Sequence, residues 1–97
     1  NLLRAELFGL SGGGVVMVRP ENVVVESHGS ASTPGEGRSF DAIVTKSVFE
    51  GAIVNYTLDM NGTPLTARQF HRGQSSFENG GAVRVFVPDA GLHRIAN

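Results

Sequence analysis

The sequence predicts an all-β domain, and three observations carry that prediction. Thirteen glycines accompany only six phenylalanines, one tyrosine and no tryptophan, a balance that favours short strands joined by tight turns over long helices. Valine-rich runs recur, "VVMVR", "NVVVE" and "AVRVFV"; Pro20 stops the first and Pro88 the last. Residues 52–60, "AIVNYTLDM", alternate apolar and polar positions along their length, the period of a half-buried strand. With 97 residues, 40% of them hydrophobic, the chain is the size of one domain with one core.

Leu3, Leu7 and Leu10 have helical spacing, but their segment is short and runs into "SGGG". Residues 1–14 are therefore expected to be an N-terminal arm or linker. "VVMVR" reads as a short strand that Pro20 stops, and "NVVVE" resumes after a turn. Residues 27–39, "SHGSASTPGEGRS", have no apolar period to bury and read as a surface loop. "FDAIVTKSVF" is the next strand, ending where Gly51 permits a bulge or a sharp change of direction.

In the alternating stretch Ala52, Val54, Tyr56, Leu58 and Met60 are expected on the core face. Asn61-Gly62 follows, the pair suited to a type I′ hairpin with both central residues at positive φ. "TPLTARQF" returns as the partner strand with Leu65 and Ala67 inward, and "HRGQSSFENGG" is a second loop. "AVRVFV" is the last long strand, with Val83, Val85 and Val87 inward, closed by Pro88. Pro20-Glu21 and Pro88-Asp89 repeat one device: proline has the fixed φ of a first helical position, and the following carboxylate favours the exposed amides of a single turn. Such corners redirect strands in a small closed sheet. The expected architecture is a small OB-like barrel of about five to six short strands.

Composition narrows the function. Eight Lys plus Arg against nine Asp plus Glu leave a formal charge of −1, with no basic footprint for a phosphate backbone. Absence of cysteine removes disulfides, thiolate metal sites and cysteine nucleophiles. No stretch approaches the roughly 20 apolar residues of a membrane helix, and "NLLRAELFGL" is too broken by charge for a signal peptide. A start on asparagine is expected for a piece of a longer protein.

"GLSGG", residues 9–13, matches the G-x-S-x-G elbow and nominates Ser11 as a nucleophile, but a valine-rich strand follows it where the elbow needs a helix. The same glycines lack the Gly-Lys-Ser/Thr of a phosphate loop. His28, His71 and His93 are far apart without the spacing of metal ligands, and "DMNG" has no closing glutamate of a calcium loop. No metal or other cofactor is expected in this chain. "NYT" and "NGT" satisfy the glycosylation sequon, read as chance. Arg19, Arg68, Arg72, Arg84 and Arg94 form an anion-binding patch only if the fold gathers them; solvated surface is the simpler reading.

The string "VRPENVVV" resembles the Arg-Pro-Glu motif that opens the TOBE domain, the C-terminal regulatory region of ATP-binding subunits in bacterial ABC importers. "VTKSVFEGAIVNYTLDMNGTPLTAR" is similar to the family's middle, with its Phe-x-Gly strand end and alternating hairpin, and "GGAVRVFVPDAGLHRI" to its final strand and Pro-acidic corner. The resemblance covers residues 15–95. It implies an OB-like β domain without catalysis, joined through residues 1–14 to an ATPase domain that alone would bind ATP and Mg. It further implies a homodimer of the subunit, indirect association with membrane permease subunits, and a regulatory protein or oxyanion as effector. The location implied is cytoplasmic, at the inner membrane through the transporter complex, and the importer group is that for polyamines, ferric iron or similar cargo. The motif positions are Arg19, Pro20, Glu21, Phe49, Glu50, Gly51, Asn61, Gly62, Pro88 and Asp89, read as architecture, with Phe49-Glu50-Gly51 opposite the Arg19-Pro20-Glu21 corner. The alternatives are a stand-alone oxyanion-binding module of the molybdate type and an OB-fold nucleic-acid binder, the latter opposed by few aromatics and no basic groove.

Overall fold

The structure, a computed structural model, describes residues 1–27, 36–70 and 77–96. The parts of both expected loops at 28–35 and 71–76 lie outside the described residues, as do His28, His71 and Arg72. The strands are β1 (Leu2–Arg4), β2 (Val15–Met17), β3 (Val24–Ser27), β4 (Gly37–Glu50), β5 (Ile53–Met60), β6 (Thr63–Phe70), β7 (Ala82–Pro88) and β8 (His93–Ala96). Three 3-10 turns, Ala5–Phe8, Pro20–Asn22 and Asp89–Gly91, complete the regular structure among the described residues. The all-β class holds, in an OB-like arrangement with eight strands among the described residues rather than five or six.

Two antiparallel sheets carry the fold, a three-stranded one in the order β1-β2-β8 and a five-stranded one in the order β3-β7-β4-β5-β6. β4 organises the larger sheet. Its first half pairs with β7 from Gly37↔Pro88 to Ile43↔Ala82, and its second half pairs with β5 from Ile43↔Asp59 to Glu50↔Ile53. The changeover lies at an irregularity between Val44 and Lys46, where the Thr45 hydroxyl donates to the Thr57 carbonyl at 3.0 Å. β4 begins at Gly37, so residues 37–39 belong to a strand and not to the expected loop. Any side chain at Gly37 would meet the Val87 carbonyl and the Phe86 ring, which explains a glycine where β4 and β7 approach so closely.

The inward faces meet in one core. Val44, Val54, Tyr56, Leu58, Leu65, Val83, Val85 and Val87 are buried, as are Val16, Val18 and Val23 from the Pro20 side. Each such aliphatic side chain contributes about 1.5–3 kcal/mol on leaving water. Ala52 is a correction: it is exposed, because Gly51-Ala52 form the two-residue β4–β5 connection and the alternation begins only at Ile53. Residues 1–14 do more than lead in. Leu3, Ala5 and Phe8 are buried in the core, β1 pairs with β2, and Phe8 stacks edge-on against Phe40 with ring centroids 5.7 Å apart.

Among the described residues no ladder closes the sheets into a barrel. Side chains bridge the gap instead. Gln69 on the β6 edge accepts from the Val25 N–H on the β3 edge at 3.2 Å. The Asn1 side-chain amide takes the place of a strand beside β6: its Nδ2 donates to the Thr66 carbonyl at 2.8 Å, and its Oδ1 accepts from the Thr66 N–H at 2.7 Å. The Asn1 main chain exchanges two hydrogen bonds with Val18, so one residue ties β2 to β6.

Candidate functional site

Both proline corners form, Pro20 inside its 3-10 turn as expected but Pro88 one position before its own, as the last residue of β7. Arg19 is extended at φ −71°, ψ 142°, Pro20 opens a 3-10 turn, and the Val23 N–H donates to the Pro20 carbonyl at 3.2 Å. Pro88 is likewise extended at φ −65°, ψ 144°, Asp89 opens the turn, and the Leu92 N–H donates to the Asp89 carbonyl at 3.1 Å. Glu21 and Asp89 stand exposed in the first turns, and each lines an open cleft.

The Pro20 corner packs against β6. Between them lies a cleft of about 350 Å3 lined by Glu21, Ile53, Arg68, Gln69 and Phe70. Ile53, Phe70 and Arg68 share the outer face of the β5–β6 hairpin, since Ile53 pairs with Phe70 and Asn55 with Arg68. Phe70 is 62% exposed, an unusual state for a phenylalanine. The cleft therefore offers an apolar floor with one carboxylate and one guanidinium at its rim, a surface that seats an apolar side chain with polar neighbours.

Phe49-Glu50-Gly51 belongs to the same region. Gly51 has φ +62° at the first central position of the β4–β5 connection, and Glu50 accepts from the Asn55 side-chain amide. The turn launches the strand that carries Ile53 to the Glu21 cleft. Phe49 itself is half-exposed at the strand end.

Beside Asp89 a second cleft, about 410 Å3, is lined by Phe8, Leu10, Val16, Asp89, Leu92 and Arg94. Arg94 Nη2 donates to the carbonyls of Ser11 at 2.6 Å and Gly13 at 2.7 Å, pinning the glycine loop. Ser11 thus lies in a bend between the Ala5–Phe8 turn and β2, not in a strand-to-helix elbow. A third, smaller cleft of about 240 Å3 lies at the other end, lined by Asp41, Ala42, Ile43, Asp59, Asn61 and Ala82. There Asn61 at φ +52° and Gly62 at φ +88° make the expected turn, and the Gly62 N–H donates to Asp59 Oδ1 at 2.8 Å.

The ten motif positions thus fall into three places rather than one site. The arginines are dispersed as well. Arg68 shares its cleft with Glu21, Arg94 shares its cleft with Asp89, and Arg84 stands in register between Glu26 and Asp41. His93 is exposed at the start of β8, and among the described residues no group of three His, Cys, Asp or Glu could hold a metal ion. Gln69, Phe70 and Asn1 were not singled out by sequence reasoning, and Arg68 was named only among the five arginines of a possible anion patch. The available signal was a phenylalanine at the outward phase of "TPLTARQF".

A small all-β domain with open, mixed clefts at proline corners is a binding or regulatory module. The TOBE-domain family model matches residues 16–95, from the middle of β2 into β8 and through both corners, and the chain belongs to that family. No curated protein and no solved structure matches the chain.

Proposed function

We propose that this chain is the C-terminal regulatory and scaffold domain of the ATP-binding subunit of a bacterial ABC importer, of the polyamine, ferric-iron or a similar group. The observation that carries the reading is the family match running through both proline corners. In this reading ATP and Mg bind the preceding domain, and this chain supplies no catalytic group. Its partners are its own ATPase domain and a second copy of the subunit, with the permease subunits reached indirectly from the cytoplasmic side of the inner membrane. Its clefts suit apolar side chains flanked by charge, as offered by a neighbouring domain or a regulatory protein. An oxyanion is the weaker candidate, because Arg68 and Arg94 each share their cleft with a carboxylate that repels it. Control of the ATPase requires a ligand that binds the dimer's open and closed states differently.

The test is ATP turnover by the complete natural protein, by the same protein shortened to remove residues 16–95, and by this chain alone. The reading expects hydrolysis by the first two, none by the third, and a weaker dimer in the shortened form. Hydrolysis by this chain alone, or none by the complete protein, overturns it.

A further inference from the structure

We infer that the cleft between the Pro20 corner and β6 is the seat of the residues immediately preceding Asn1 in the complete protein. This rests on the reading above, in which a preceding domain supplies such a segment. Strand register places that segment. Asn1 and Val18 exchange both main-chain hydrogen bonds, at 3.0 and 2.8 Å, and Leu2 pairs with Met17. Residues upstream of Asn1 therefore continue the antiparallel ladder along Arg19, which is still extended, up to Pro20, which has no N–H to give.

Side-chain phase then selects the cleft. In β1, Leu3 points inward while Leu2 and Arg4 point outward, and Asn1 shares the phase of Leu3, with its amide on Thr66 of β6. The second residue before Asn1 has that same phase. Two residues of strand advance about 6–7 Å, the spacing along β6 from Thr66 to Arg68. Its side chain thus falls at Arg68, inside the cleft with Glu21, Ile53 and Phe70. An apolar residue there covers Phe70, which is 62% exposed in the present chain. The seat would fix the angle at which the preceding domain joins this one, a rigid link rather than a free tether.

The absence of cysteine from these 97 residues makes disulfide trapping clean. In the complete protein, with any other cysteines replaced by serine, cysteine is placed two positions before Asn1 together with Arg68→Cys. A second pair joins cysteine one position before Asn1 to Arg19→Cys. Leu2→Cys with Met17→Cys is the positive control, a directly opposed pair between hydrogen-bonded rungs. Disulfides demand Cα atoms within about 7 Å, so the proposal expects both test pairs to oxidise to within about twofold of the control. Less than half the control in the Arg68→Cys pair overturns it. Where a double variant fails to fold, thiol labelling of Phe70→Cys serves: labelling about tenfold slower than at Phe49→Cys supports the seat, and equal rates overturn it. Trapping in a protein whose upstream region is not an ATPase keeps the seat and removes the transporter reading. An ATPase domain without trapping does the reverse.

Discussion

Replacing Gln69 by leucine removes the acceptor used by the Val25 N–H and keeps most of the side-chain volume. The bond spans the two edges of the five-stranded sheet at 3.2 Å, where no ladder holds them together. Val25 is 5% exposed, so its N–H loses a partner with little water to replace it. An unsatisfied buried donor costs about 1–3 kcal/mol, and the length of this bond and the intermediate exposure of Gln69 place the loss near 1–2 kcal/mol. For a domain of this size that lowers the melting temperature by roughly 5–15 °C. Gln69→Glu keeps an acceptor and should recover at least half of the loss, which separates hydrogen bonding from packing. Thermal and urea unfolding of both variants, with an unchanged urea slope, give the comparison. A Gln69→Leu melting point within about 2 °C of the parent refutes the claim that side chains close the seam.

Three further predictions follow from particular contacts. Gly37→Ala forces a Cβ against the Val87 carbonyl and to 2.9 Å from the Pro88 Cα, and should destabilise by about 2–3 kcal/mol in urea titration. Asn61→Ala places an ordinary residue at φ +52° and should cost about 1–2 kcal/mol, whereas Asn61→Gly should stay within about 0.5 kcal/mol. Tyr56→Phe keeps the ring contact with Phe77 at 5.8 Å but removes the hydroxyl that accepts from the Phe77 N–H at 3.3 Å, a loss of about 1 kcal/mol with faster amide exchange at Phe77.

What was legible in the sequence was local. Val54, Tyr56, Leu58 and Met60 are inward because a strand's period is two, Asn61-Gly62 turn because both tolerate positive φ, and the two proline corners follow from a fixed φ and a missing N–H. What was hidden depends on partners distant in the chain. Three residues of β1 are too few to show a period, and leucines at 3, 7 and 10 imitate a helix, so the arm's burial comes from β2 and the core. The Asn1 amide meets Thr66 across 65 positions. Ala52 was misplaced by carrying a clean alternation one residue into a turn. The clefts were invisible for the same reason, since Glu21 meets Arg68 and Phe70 only when the Pro20 turn lands on β6.

Under the proposed function this chain is the regulatory end of a longer protein, and the reading frame immediately upstream of the Asn1 codon is the first thing to determine. The importer proposal requires an in-frame G-x-x-x-x-G-K-[ST] in strand-loop-helix context, followed by the rest of an ABC-type ATPase domain. An initiator codon directly before Asn1, or an upstream domain without that loop, would contradict it.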